Sequence, residues 1–424
     1  MDKNGFSCLN IQFTQNKMNL DIASFQPIFK SKSKEAFEIF SSLVFPNRKQ
    51  EKWKYAKLKK IKKIPFHNQH SFVLSDFDHL SLPIRSGITI VIENGKFNAK
   101  LSKISQIEGV QLIPFSDLNN LQIESLNGYK KSYNNYFSYL NHTCLEQGFF
   151  INVLDNIKVE DVVNIINIST VENILANTRL NISVGKNSSL EIKQYFIGEK
   201  NAKNSFINHL SEFYIAENGN LQIDKFQNFE ENFNICSEFI KQQYSSFFAI
   251  NTYSNSGQFI RNDIGVEVEG EHCHTELNGV FSPSGNEYMD QHTTIDHLVA
   301  NCNSFENYKG VIRSNGIGVF NGKVIVHQDA QKIEAFQQNN NVLIDDNATI
   351  FSKPELEIYA DDVKCSHGST TGQFDEEALF YLRSRGLGRI KATEMLTIGF
   401  INEVIEKASG ENYKSFILKN LLNK

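Results

Sequence analysis

Proline is scarce in this sequence, at 7 of 424 residues. That argues against a proline-rich linker protein and for long uninterrupted elements. Cysteine is sparse as well. Cys8, Cys144, Cys236, Cys273, Cys302 and Cys365 lie far apart and form no C-x-x-C pair. A chain of this size needs no disulfide staples, so reduced thiols are expected. No apolar run reaches about 18 residues, and no membrane span is expected. The opening MDKNGFSCLNIQF lacks the basic-then-apolar pattern of a secretion signal, which points to a cytoplasmic protein. Positive charge is not in excess: the net charge of −5 does not suit a general nucleic-acid binder. Catalytic signatures are missing too. VGKNS at Val184–Ser188 lacks the first glycine and the loop length of a phosphate cradle. No G-x-G-x-x-G follows a strand and no G-x-S-x-G elbow occurs, so ATP, dinucleotide and acyl chemistry have no visible engine.

What is present is enough apolar material, 40% of residues, for a sizeable core. Its patterning divides the chain into 1–147, 148–368 and 369–424. In the first region, Phe37, Phe40, Leu43 and Val44 recur at helical spacing in Lys32–Phe45. The lysine-dense stretch Pro46–Pro65 holds the only tryptophan, Trp53. It reads either as a nucleic-acid patch with interleaved aromatics or, more plainly, as a solvated helix whose Trp53, Tyr55 and Leu58 touch the domain. GITIVIENGKFN (Gly87–Asn98) alternates and breaks at Asn94–Gly95, a hairpin signal.

The second region changes period. Short alternating runs recur with Asn, Gly or Asp between them, as in TRLNISVGKNSSLEIKQYFIG and SEFYIAENGNLQIDKFQNF. Loose repetition of strand, polar turn and strand suggests a mainly β architecture: a β-solenoid with asparagines stacked at its turns, or a sandwich or barrel. The third region is helical. Asp375 is a plausible N-cap ahead of Glu376 and Glu377, and Gly386 a C-terminal stop. A second helix is expected over Thr393–Ala408, crossed by Met395 and Phe400, and a third over NYKSFILKNLLN. This apolar surface either packs on its own domain or offers a docking face.

Two His/Cys clusters could carry chemistry. In a strand, His272 and His274 would share a face and could bind zinc or copper, given a third ligand; the plainer reading is a polar solvent-facing strand. Likewise Cys365 and His367 would share a face, as a soft-metal pair or as a thiol with its base. Two ligands are too few for a structural site, so a second chain would have to complete it. The plainer alternative is a buried strand end, with Cys365 as a small hydrophobe and His367 as a hydrogen-bonded anchor.

The stretch KPELEIYADDVKCSHGSTTGQFDEEALFYLRSRG closely resembles a hallmark segment of the SufB/SufD family of SUF iron–sulfur cluster assembly subunits, on its SufD side. QHTTIDHLVANCNSFENYKGVI, QKIEAFQQNNNVLI and FPNRKQEKWKY resemble family segments as well. The resemblance implies a right-handed parallel β-helix core with helical N- and C-terminal regions, and a scaffold rather than an enzyme. It implies SufB as the partner along the β-helix edge and the ATPase SufC on the C-terminal helices, near Phe380, Leu382, Arg385, Met395 and Phe400. His367, with Cys365 beside it, would face a nascent iron–sulfur cluster shared with SufB, and no cofactor would be stably held by this chain alone. Without SufB, a homodimer is expected. The competing functions are a carbohydrate-active β-helix enzyme and a nucleic-acid-binding module built on Pro46–Pro65.

Overall fold

The computed structural model describes residues 18–68, 71–84, 87–119 and 135–424. Cys8 and the N-terminal stretch around it lie outside the described residues. Two sheets dominate, one of ten strands and one of nine. Successive strands alternate between the sheets, and each pairs in parallel with the strand two further along the chain. Phe233–Gln242, for example, is bonded in register to Phe206–Ile215 on one side and Phe259–Val268 on the other. This is a parallel β-helix, and it resolves the choice between solenoid and sandwich.

Period-two patterning produces it. Leu221, Ile223, Phe248 and Ile250 of one sheet face Phe213, Ile215 and Ile240 of the other in a single elongated core. The corners need left-handed backbone, which asparagine tolerates best among residues with a Cβ. Asn156, Asn187 and Asn218 all have positive φ. Their side chains form a ladder, each amide bonding the next at 3.0 Å. The expected stacking of turn asparagines is therefore present.

The two ends of the solenoid differ. At the N-terminal end, Gly87–Glu93 folds back on Lys96–Phe97 through Asn94 (φ 50°) and Gly95 (φ 83°), the expected hairpin. Val110–Pro114 closes the other sheet in antiparallel fashion. At the C-terminal end, no described strand covers either sheet.

Both outer faces carry packed segments. On the nine-stranded sheet, the buried Arg261 forks onto Asp263 at 2.7 and 2.9 Å. It also donates to Asp290 and to the Lys52 carbonyl, each at 2.8 Å. Its guanidinium lies 3.9 Å over the Trp53 ring, and Tyr55 stacks on Phe351. The lysine-rich stretch thus anchors on its own domain through Trp53, Tyr55 and Leu58, and its tryptophan is not offered to a base. It is not one helix, however. Only the short turn Glu51–Trp53 and the helix Lys59–Lys63 form, because the anchoring side chains do not share one helical face. The preceding helix spans Lys30–Ser42 and stops before Leu43 and Val44, where the chain straightens toward Pro46.

On the ten-stranded sheet, Ile401, Val404, Tyr413 and Ile417 cover Tyr195, Phe226 and Tyr253. The C-terminal helices are Glu376–Ser384, Arg389–Ile405 and Glu411–Leu422. Asp375 caps the first, accepting from the Glu377 amide, and Gly386 (φ 92°) follows its end. The second begins at Arg389 rather than Thr393: Gly388 supplies an extended N-cap, and Thr393 is interior, its carbonyl accepting from Thr397.

The core is not wholly apolar. Lys225 and Glu238, both fully buried, bridge the two sheets with both carboxylate oxygens 2.7 Å from Nζ. Breaking one side of such a pair strands a buried charge. Lys225→Met is therefore expected to cost about 3–5 kcal/mol, and Lys225→Met with Glu238→Leu to recover most of it. Urea unfolding followed by circular dichroism measures both. A single variant as stable as the parent would show that the pair carries no such strain.

Candidate functional site

The open end is built by two strands. Val363–Gly372 ends the ten-stranded sheet and is bonded only to Ile333–Leu343; Thr349–Ile358 ends the nine-stranded sheet and is bonded only to Ile317–Val326. Each leaves one edge of backbone donors and acceptors unpaired, a template for another strand. Alternation along the last strand fixes what lines the mouth. Val363 and Cys365 pack on the core, and Ser369 Oγ lies 2.8 Å from Ser352 Oγ across it. Lys364 and Thr370 instead reach sideways to Glu334 and Asn340 on the outer surface. The odd positions, His367 among them, therefore face the interior, and no further coil among the described residues covers them.

Cys365 is half-buried and His367 is exposed. Burial pushes the Cys365 thiol up from its ordinary value, against a lowering hydrogen bond with the Ala335 backbone. A raised thiol is a resting thiol, which disfavours the nucleophile reading of this pair. His367 makes no hydrogen bond among the described residues, so it is not the buried anchor of the plainer reading. The pair fits a shared soft-metal site in residue type. Two ligands remain too few to close one, and no group of three or more metal-ligating side chains occurs among the described residues.

The other cluster comes apart. His272 is a turn residue at φ 62°, in the corner row that asparagine occupies elsewhere, and its ring packs edge-on against Tyr244. His274 starts a strand, stacks on Phe247 and bonds Glu276 at 3.1 Å. The expected shared face does not exist, because the left-handed corner at His272 breaks the alternation. Cys273 is buried, donating to the Gln243 carbonyl.

Of the residues expected to meet a partner, Phe380 is 73% exposed and Met395 44%. Arg385 is exposed and Leu382 half-buried. Phe400 is half-buried against the chain's own cluster, and its carbonyl accepts from Lys309. Sequence reasoning missed Ile390, at 80% the most exposed large apolar side chain among the described residues, and Tyr381 beside Phe380. Ile390 stands between Arg389 and Lys391, charged neighbours that hide it from a linear reading.

It also missed Glu306, buried two coils behind the mouth. Thr293 and Gln337 donate to its two oxygens, the latter at 2.6 Å. Burial pushes its carboxyl up to about 7, although both hydrogen bonds lower it. The folded chain then holds this proton longer than the unfolded chain does. Stability is highest at low pH and falls as pH rises from 4.5 to about 7, by roughly 3 kcal/mol for this one group. Glu306→Gln should abolish that part of the slope. Urea midpoints of parent and variant at pH 5 and pH 8 test it, and equal pH dependence in the two proteins would contradict it.

The chain matches the family model described as SUF system FeS cluster assembly, SufBD core domain, over residues 167–400. It matches the SufBD protein N-terminal region over residues 9–165. It is 31% identical to iron-sulfur cluster assembly protein SufD of Escherichia coli over 248 residues, which is 58% of each chain and so less than two thirds of that relative. A SufBD family protein of Synechocystis is 27% identical over 398 residues, 90% of this chain and 87% of the relative. The chloroplastic protein ABCI7 of Arabidopsis thaliana is 30% identical over 55% of this chain and 50% of its own. With a β-helix over the matched region and the hallmark segment at its open end, the chain belongs to the SufBD family of the SUF iron–sulfur cluster assembly system.

Proposed function

We propose that this chain is a non-catalytic scaffold subunit of SUF assembly that works through its open end. The observation that carries the reading is His367, an imidazole on the inward row of the terminal coil, exposed where no described strand stacks upon it. A second solenoid with a free end, SufB, would pair its edge strands here and cover the mouth. A soft ligand from SufB would then complete a site that His367, with Cys365 beside it, begins. An imidazole is neutral and leaves a cluster less anionically held than a fourth thiolate would, which suits a nascent cluster that must be handed on. The cluster is cargo, and this chain holds none by itself.

The helical end supports a second role. Ile401, Val404 and Ile405 already pack on the sheet, so they are not free for a partner. Phe380, Tyr381, Ile390 and Met395 remain exposed on the first two C-terminal helices. A patch of this kind, with Arg385 at its margin, suits docking of the ATPase SufC. That partner would supply the nucleotide chemistry for which this sequence has no motif.

Reconstitution with SufB and SufC tests both roles. His367→Ala should leave the complex assembled and lower the iron–sulfur absorbance formed on it about tenfold or more, one lost ligand contact being worth at least the ~1.4 kcal/mol that tenfold represents. Undiminished cluster formation would remove His367 from the site. Phe380→Asp, at an exposed position, should weaken SufC binding about tenfold by calorimetry, the loss expected of a hot-spot residue. Unchanged affinity would place the ATPase elsewhere.

A further inference from the structure

The rings of the lysine-rich stretch pack on the nine-stranded sheet, while several of its cations line a cleft of about 390 Å³ beside them. Arg48, Lys49, Lys52 and Lys54 line it from the loop, and Lys353 from the sheet. Against these five cations stand two carboxylates, Glu51 and Asp290. Both are already neutralised by the protein. Lys353 lies 2.6 Å from Glu51, and Asp290 is held between Arg261 and His292, each at 2.8 Å. Arg48, Lys49 and Lys52 enter no ion pair among the described residues. A chain of net charge −5 thus carries a local excess of positive charge in a concave site.

The walls of the cleft are fixed without a ligand. The Lys52 carbonyl accepts from Arg261 at 2.8 Å, and the Trp53 ring lies 3.9 Å from that guanidinium. Tyr55 stacks on Phe351 with ring centroids 3.9 Å apart, and Glu51 meets Lys353 on the same terminal strand. The loop is therefore pinned to the sheet on both sides of the cleft, which lowers the ordering cost of binding. Strand register builds the floor. His292, Asn321 and Lys353 occupy one outward row on three successive strands of the sheet. The side-chain amide of Asn321 makes no hydrogen bond among the described residues, which leaves a donor in the cleft between the imidazole and the ammonium.

We propose that this cleft binds a small anion bearing a diphosphate group, with Arg48, Lys49 and Lys52 neutralising phosphate oxygens from the loop and Asn321 and Lys353 contacting them from the sheet. Several cations that no carboxylate neutralises call for a multivalent anion. Donors converging from two sides suit the tetrahedral oxygens of phosphate better than a planar carboxylate, and Arg48 adds a forked donor. A cleft of this size holds a small molecule. A nucleic-acid strand is the poorer fit: its bases would need open rings to stack on, and Trp53 and Tyr55 are covered by Arg261 and Phe351. A bound anion would tie the N-terminal loop to Lys353 on the strand that ends the sheet, beside the open mouth.

Calorimetry on the full chain tests it, with inorganic pyrophosphate and ADP as separate probes, citrate as a carboxylate control and a single-stranded oligonucleotide as a polymer control. Pyrophosphate should bind, and Arg48→Ala with Lys52→Ala should weaken it about tenfold or more. Glu51→Gln, which removes a carboxylate from the rim, should strengthen it about threefold. Lys200→Ala with Lys203→Ala makes the same change in net charge at exposed positions outside the cleft, and should leave the affinity within about twofold. Circular dichroism confirms that each variant is folded. No binding by the parent overturns the proposal whether or not the variants fold. So does affinity that survives the Arg48 and Lys52 changes, falls equally in the lysine control, is matched by citrate, or is found only with the oligonucleotide. ADP binding as tightly as pyrophosphate assigns the diphosphate to an organic carrier; pyrophosphate binding alone assigns it to the free ion.

Discussion

Parallel in-register stacking is the constraint on which the structure depends. Each coil sets its residues directly over those of the coil before, so a side chain chosen for one level must suit its neighbours above and below. Aliphatic rows satisfy this readily. A polar residue in an inward row has no water and must find its partner within the row or across the narrow core. Lys225 with Glu238 and Glu306 with Thr293 and Gln337 are solutions of this kind, each tying the two sheets together. The corner rows obey the same rule, with asparagine amides bonding their successors along the edge.

Stacking also creates an end problem. A solenoid can add coils indefinitely unless something stops it. One end is stopped within the chain, by a hairpin and an antiparallel strand. The other keeps two free edges and a row of inward residues with no ceiling. The same unpaired backbone that would be a liability in a solitary protein becomes an interface in a subunit. The residues set there include a cysteine, a histidine and a serine, Cys365, His367 and Ser369. The last two helices pack one face on the sheet, and the exposed apolar side chains lie on the first two helices, away from the residues that line the open end.

Much of this was legible in the sequence because it follows from local periodicity. Alternation in the middle region, the Asn94–Gly95 break and the Asp375 cap with the Gly386 stop each depend on a few adjacent residues, and each appears as expected. Legibility failed where the period was interrupted or where neighbours are distant in sequence. His272 and His274 seemed to share a strand face until a left-handed corner separated them, a conformation that histidine only occasionally adopts. Thr393 resembled a cap, but Gly388 had already begun the helix. Phe400 and Met395 belong to one helix, and only the sheet beneath decides that the former is half-covered and the latter exposed. Glu306 and Gln337 carry no motif; they stand 31 residues apart and meet only through strand register.

The mainly β character, the terminal helices, the family and the Cys365–His367 pair can all be read along the chain, because composition, period and a long contiguous motif are properties of adjacent residues. That His367 lies on the terminal coil, with the buried Gln337 and Glu306 behind it in the same row, emerges only from the folded stack. The physical reason is that register between strands is set by the whole stack. Which residues become neighbours along a row depends on the length of every intervening coil, and no local pattern records that sum.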